Sequence, residues 1–121
     1  MSSLVWGAVL VCGGTGAVLR FLLDGAVGGR VDGSFPVGTL VVNLSGSLAL
    51  GILSGVALPA QAPLLVGSSL IGAYTTFSTW VFETHRLAEE RDLATAWANV
   101  VLSVVAGLAA AAVGLWIGGG W

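Results

Sequence analysis

The most informative stretch of this chain is Gly72-Ala73-Tyr74-Thr75-Thr76-Phe77-Ser78-Thr79-Trp80. It combines a glycine, four hydroxyl side chains and three aromatic rings within one of the chain's apolar segments. Hydrocarbon offers no hydrogen bonds, so polar groups at membrane depth must face protein, water or an ion. Such groups usually mark a functional site. The stretch therefore predicts an ion site inside a membrane protein.

The composition around this stretch excludes a soluble domain. Of the 121 residues, 56% are hydrophobic and 8% are charged, whereas a typical soluble domain has about 25% charged residues. The charged side chains fall in two clusters: Arg20, Asp24, Arg30 and Asp32, then Glu83, Arg86, Glu89, Glu90, Arg91 and Asp92.

Four apolar stretches indicate a single all-α domain, residues 1–121, with four transmembrane helices. Each stretch is near the ~20 residues that a spanning helix needs, and the connections are too short to hold a second domain. The predicted spans are residues 4–23, 36–58, 63–82 and 93–117. An even number of spans places both termini on one side of the membrane and both charged loops on the other.

The third span is predicted to be broken near Gly72–Thr76, because a glycine and two adjacent β-branched threonines weaken an α-helix. Carbonyl oxygens released at a break can coordinate a hard cation such as sodium, provided that protein or ions cover the unwound backbone. One short break offers too few oxygens for this. A symmetry-related second copy could supply the others.

Asn43 and an aromatic pair are candidate contacts for a dehydrated anion. Asn43 lies one turn beyond Thr39, so the amide and the hydroxyl share a helix face. Phe77 and Trp80 also share a face, and the edge of an aromatic ring is positive. Ring edges and neutral donors could together replace an anion's hydration shell. The alternatives are a helix–helix hydrogen bond from Asn43 and ordinary packing of the two rings.

Small residues recur every fourth position on two spans and predict close helix contacts, within or between subunits. They are Ser47, Gly51 and Gly55 on the second span, and Ser103, Gly107 and Ala111 on the fourth. The hydroxyl of Ser103 could either pack in such a groove or line a path for an ion.

Three motifs in order, spread over nearly the whole chain, resemble the Fluc (CrcB-type) fluoride channels. They are Gly-Ala-x-x-Arg at Gly16 to Arg20, Pro-x-Gly-Thr-Leu-x-x-Asn at Pro36 to Asn43, and Gly-x-x-Thr-Thr-Phe-Ser-Thr at Gly72 to Thr79, followed by Glu83. The resemblance implies a fluoride-selective channel, not an enzyme, that exports fluoride passively across a bacterial cell membrane and relieves fluoride toxicity. It also implies an antiparallel, dual-topology dimer in the lipid bilayer, with two fluoride pathways and a structural sodium ion at its centre.

The resemblance assigns roles to individual residues. The fluoride pathway would comprise the amide of Asn43, the rings of Phe77 and Trp80, and the hydroxyls of Thr39, Ser78, Thr79 and Ser103. The backbone carbonyls of Gly72 and Thr75 would bind sodium. Arg20 and Glu83 match charged positions near the membrane boundary, where they could instead form structural ion pairs.

This chain departs from the family pattern in two respects. Trp80 replaces the second ring of a Phe-x-x-Phe pair and is bulkier. All four arginines lie toward the loop side, so the positive-inside rule predicts cytoplasmic loops, whereas a dual-topology protein should show almost no bias. The chain therefore either forms a homodimer despite a weak bias or pairs with an inverted homologue.

Two other functions fit the residues less well. A small multidrug-type transporter has four spans and an antiparallel dimer, but it needs an acidic residue in its first span, and residues 4–23 contain none. An intramembrane hydrolase needs a serine nucleophile with a positioned base. The one histidine, His85, lies at a charged boundary. No feature indicates a nucleic-acid partner.

Overall fold

The computed structural model describes residues 2–120, which form six helical elements and no strand. The elements are α1 (Ser3–Gly28), α2 (Val37–Gly55), the π-helix π1 (Pro63–Ile71), α3 (Gly72–Tyr74), α4 (Phe77–Glu89) and α5 (Leu93–Ile117). The predicted all-α class is confirmed. Helices α1, α2 and α5 are each long and apolar enough to cross a membrane.

The ends of the long helices only partly match the predicted spans. Helix α5 has the predicted bounds, while α2 ends at Gly55 because Val56 is extended. Helix α1 continues past Leu23 to Gly28. Its last turns remain ordered against α2, since the carboxylate of Asp24 lies beside Gly38 in the first turn of that helix.

The charged segment after the third span is mostly helical, whereas the sequence predicts a loop there. Helix α4 continues to Glu89. His85 lies 2.8 Å from Glu89, and Arg86 lies 3.4 Å from Glu90, in both cases one helical turn apart. The exposed ion pair of Arg86 and Glu90 has the spacing at which such pairs contribute only about 0.3–0.5 kcal/mol. Clustered charge alone therefore does not end this helix.

The contact between α2 and α5 is the most extensive between any two elements. The two backbones touch at glycines: a Cβ atom at Gly51 would overlap the carbonyl oxygen of Ala111, and one at Gly114 would overlap a carbonyl of α2. A Cβ atom at Gly107 would instead lie 3.9 Å from the Ser47 hydroxyl, an ordinary contact. The predicted small-residue contact is thus confirmed within one chain, and it is tightest toward the end of α5.

Large apolar side chains point outward along the helices. Leu10 on α1 is 73% exposed and Trp116 on α5 is 69% exposed, whereas buried apolar side chains are few. Soluble monomers rarely expose apolar surface on this scale. The exterior is suited to lipid or to another apolar protein surface, in agreement with the predicted membrane protein.

The segment from Pro63 to Glu89 changes conformation twice. In π1 the hydrogen bonds are wider than in an α-helix, and the N–H of Gly72 donates to the carbonyl of Gly67 five residues earlier. Helix α3 ends at Tyr74, and the next two residues are extended: Thr75 has φ −78° and ψ 159°, and Thr76 has φ −143° and ψ 119°. We call Thr75 and Thr76 the extended link. Helix α4 begins directly after it.

Candidate functional site

Asn43 is hydrogen-bonded to the extended link. Its Nδ2 donates to the carbonyl oxygen of Thr76 at 3.0 Å, and the N–H of Thr76 donates to Asn43 Oδ1 at 2.9 Å. One side-chain amide thereby satisfies both backbone polar groups of Thr76, which would otherwise be costly to bury. An amide nitrogen carries two protons, so the second N–H of Asn43 is not used by this pair.

The extended link also releases two backbone carbonyls. In a continuous α-helix, Gly72 O would accept from the N–H of Thr76, and Thr75 O would accept from the N–H of Thr79. Here the N–H of Thr76 donates to Asn43, and the N–H of Thr79 donates to the Thr76 hydroxyl at 3.2 Å. Gly72 and Thr75, the residues assigned to sodium by resemblance, therefore lack their usual helical donors.

A groove of about 290 Å³ runs beside the extended link. We call it the ring groove, and its lining includes Asn43, Gly72, Thr75, Phe77 and Trp80. The side chain of Phe77 is 74% exposed. The two rings have centroids 5.6 Å apart and are tilted by 56°, an arrangement that aromatic pairs favour. The two aromatic residues, Asn43 and the two residues with released carbonyls thus line one space.

A second cavity, of about 320 Å³, shares Thr76 with the ring groove. We call it the hydroxyl cavity; Arg20, Asp24, Thr39, Ser78 and Thr79 contribute to its lining. The Thr39 hydroxyl is buried and has no hydrogen-bond partner within residues 2–120. The Thr79 hydroxyl accepts from Thr76 and keeps its own proton. Arg20 and the Thr79 hydroxyl are therefore candidate donors to an anion in this cavity, whose lining also includes the acidic residue Asp24.

The two charged boundary residues do not pair with each other. Within the described chain, the close contacts between basic and acidic side chains lie between residues 85 and 90, and neither Arg20 nor Glu83 takes part in one. Arg20 lines the hydroxyl cavity. The carboxylate of Glu83 faces Thr39 and Asp24, and Glu83 Oε1 is buried without a hydrogen-bond partner in residues 2–120.

Ser103 contributes to neither the ring groove nor the hydroxyl cavity. Its hydroxyl donates to Asn99 Oδ1 at 3.4 Å, and the indole N–H of Trp80 donates to the backbone carbonyl of Asn99 at 3.3 Å. Sequence reasoning did not single out Asn99. The available signal was the amide itself, since a polar side chain in an apolar span usually has a specific role.

Asp92 connects two loops at one end of the helices. Its Oδ1 accepts from the N–H of Thr95 at 3.3 Å, which caps α5, and its Oδ2 accepts from the hydroxyl of Ser34 at 3.0 Å. Ser34 belongs to the loop between α1 and α2. Hydrogen bonds from Thr95 and then Ser34 lower the pKa of Asp92 below its ordinary value.

We expect acidification to remove the stabilisation that Asp92 provides. A carboxylate whose pKa is lowered by folding contributes stability above its unfolded-state pKa and loses it as the pH falls through its folded-state pKa. Melting temperatures of wild type and Asp92→Asn should therefore differ at neutral pH and converge in acid. Asp32→Asn, in the loop after α1, is the control. A difference that is the same at every pH would contradict the expectation.

Comparison with known proteins gives consistent matches over most of the chain. A family model described as CrcB-like protein, Camphor Resistance (CrcB), matches residues 7–115. The fluoride-specific ion channel FluC 2 of Mycobacterium tuberculosis is 55% identical over 113 residues, which cover 93% of this chain and 90% of the relative. FluC 2 of Mycolicibacterium paratuberculosis is 59% identical over 110 residues, covering 91% and 90%. FluC 1 of Leifsonia xyli is 42% identical over 123 residues, covering 98% and 90%.

Proposed function

This chain belongs to the CrcB-like protein family, and we propose that it is a fluoride-specific ion channel. Relatives that match this chain over nine-tenths of their own length carry that name. The observation that best supports the proposal is that Asn43 and the aromatic pair Phe77 and Trp80 line one groove. Fluoride that enters a cell as neutral HF and ionises would leave through such a path down its gradient.

The proposed path uses neutral partners to replace the hydration of fluoride. Hydroxyls of Thr39, Ser78 and Thr79, beside Arg20, would receive the anion in the hydroxyl cavity. The ring edges of Phe77 and Trp80, and the second N–H of Asn43, would then take the place of its remaining water. Partners of this kind bind an anion weakly enough to release it again, as conduction requires.

We further propose that two copies pair antiparallel in a bacterial cell membrane. In addition to α1, α2 and α5, the segment from Pro63 to Glu89 would cross the membrane in each copy, as the third span in chain order, and it would be interrupted at the extended link. Lipid would cover the exposed apolar surface of α1 and α5. The shared face would contain the ring groove, because Phe77, at 74% exposed, is mostly uncovered by its own chain. A homodimer and a pair with an inverted homologue both fit this arrangement.

The released carbonyls of Gly72 and Thr75 fit a structural sodium ion. Unwound backbone carbonyls are the ligands that membrane proteins use for sodium. Two oxygens from each copy would meet at the centre of an antiparallel pair, where the ion would supply positive charge that holds the carbonyl dipoles together. Asn43 and the Thr76 hydroxyl would keep those oxygens free, because they accept from the backbone N–H groups of Thr76 and Thr79, which are the usual helical donors to these carbonyls.

Fluoride efflux from liposomes tests the proposed function. We expect purified protein to release fluoride and to retain chloride. Phe77→Ile should lower fluoride efflux about tenfold or more, which corresponds to roughly 1.4 kcal/mol in the barrier, because the substitution removes a positive ring edge. Phe82→Ile is a matched control, since Phe82 is also exposed on α4 but lines neither cavity. Absent fluoride efflux, or equal efflux of chloride, would contradict the proposal.

A further inference from the structure

Asn99 is the centre of a hydrogen-bond network between α4 and α5 that the proposed pathway does not include. The side chain is 1% exposed and lines neither the ring groove nor the hydroxyl cavity. Its carbonyl accepts from Trp80 Nε1 at 3.3 Å, its Nδ2 donates to Thr84 Oγ1 at 2.8 Å, and its Oδ1 accepts from Ser103 Oγ at 3.4 Å. Asn99 thus contacts two predicted pathway residues without touching the path.

The proton positions in this network are determined by Thr84. The Thr84 hydroxyl has one proton, and it donates that proton to the backbone carbonyl of Trp80 at 2.9 Å. Thr84 must therefore accept from the amide of Asn99, which turns Asn99 Oδ1 toward Ser103. The single proton of Ser103 then points at Asn99. On the side away from Asn99, the Ser103 hydroxyl therefore presents lone pairs and not its proton.

The same bonds hold the indole of Trp80 in place. Its N–H is bound to the backbone carbonyl of Asn99, and the Asn99 amide, by donating to Thr84 on α4, keeps that carbonyl beside the indole. Thr84 in turn donates to the backbone carbonyl of Trp80. Because the network is closed and partly buried, each bond restrains the others. The ring of Trp80 is therefore held at its tilt to Phe77 by residues that do not line the groove.

We propose that Asn99 is a positioning residue for halide selectivity, acting through Trp80. The inference rests on the proposed fluoride channel. An indole that is held by its N–H cannot turn away to admit a larger halide, so the ring groove stays matched to a small anion. When the network is broken, Trp80 can turn, the groove widens, and chloride enters more easily while fluoride is still conducted.

Two variants separate this role from a purely structural one. Asn99→Leu keeps the branched four-atom shape of the side chain and removes the amide, and Thr84→Val keeps Asn99 and removes the oxygen that accepts from its amide. We expect each to lower the ratio of fluoride to chloride efflux about tenfold. Ser54→Ala, a hydroxyl deletion on α2 outside the site, should leave the ratio unchanged. If Asn99→Leu fails to fold, Thr84→Val alone tests the proposal.

A Trp80→Phe background shows whether the effect passes through the indole. There, Asn99→Leu should change the ratio much less than in wild type, since coupled residues give non-additive effects. In protein labelled with 5-fluorotryptophan, the ¹⁹F resonance of Trp80 should shift in Asn99→Leu. An unchanged ratio, an equal change in both backgrounds, or an unshifted resonance would overturn the inference. Absence of fluoride efflux from wild type would instead overturn the proposed function, and the resonance would still test Asn99.

Discussion

Fluoride efflux should fall about a hundredfold or more when Asn43 is replaced by alanine, which corresponds to roughly 2.7 kcal/mol in the barrier. The substitution removes the amide donor from the ring groove. It also leaves the buried N–H and carbonyl of Thr76 unpaired, and each such group costs about 1–3 kcal/mol. The midpoint of unfolding in denaturing detergent should fall as well. Efflux assays and unfolding curves on the same preparations measure both effects.

Two further substitutions sharpen this test. Asn43→Asp keeps an acceptor for the N–H of Thr76 but places an anion opposite the Thr76 carbonyl, so we expect conduction to be lost. Ser45→Ala is the control: it lies on the same helix and bonds Tyr74 at 2.7 Å, outside the ring groove. Efflux at the wild-type level from Asn43→Ala would show that the amide is not part of the pathway.

A methyl group at Gly114 should prevent stable packing of α2 against α5. In Gly114→Ala the new Cβ atom would overlap the carbonyl oxygen of Leu48 and lie 2.9 Å from the N–H nitrogen of Ile52. Backbone atoms cannot rotate away as side chains can, so the two helices must separate. We expect a loss of about 3 kcal/mol or more, at the upper end for overpacked sites, and little folded protein on size-exclusion chromatography.

The control for this substitution lies on the same helix. Gly107→Ala would place its methyl 3.9 Å from the nearest atom, the Ser47 hydroxyl oxygen, and alanine is favoured over glycine in a helix by about 0.5–1 kcal/mol. We therefore expect Gly107→Ala to match or exceed wild-type stability. Equal loss of folded protein in both variants would show that helix packing here does not depend on backbone contact.

The sequence predicts the helical class because, in lipid, a single apolar run of spanning length satisfies its own backbone hydrogen bonds by forming an α-helix. Helix α5 matches its prediction best, since a continuous apolar run follows the capping residue Asp92. The π-helix π1 was not predicted: nothing in the residues from Pro63 to Ile71 distinguishes hydrogen bonds to the fifth residue from those to the fourth. The segment contacts α1 and α2, and periodicity within its own residues does not report such contacts.

The residue types of the candidate site can be predicted from the sequence, but their hydrogen-bond partners cannot. Periodicity relates Asn43 to Thr39, yet it cannot show that the amide bonds the backbone of Thr76, thirty-three positions later. Asn99 illustrates the opposite case, since its amide in an apolar span was a visible signal. Its bonds to Trp80 and Ser103 needed the structure, and the pathway roles of these residues stay predictions.

Direct backbone contact at Gly51 and Gly114 also bears on motion. Helices separated by side chains can slide when rotamers change, but α2 and α5 have no side chain between them at these positions and should move as one stiff body. Rearrangement would then be confined to α1 and to the segment around Thr75. Fixed backbone contact of this kind would keep the relative position of α2 and α5 constant while the rest of the chain adjusts.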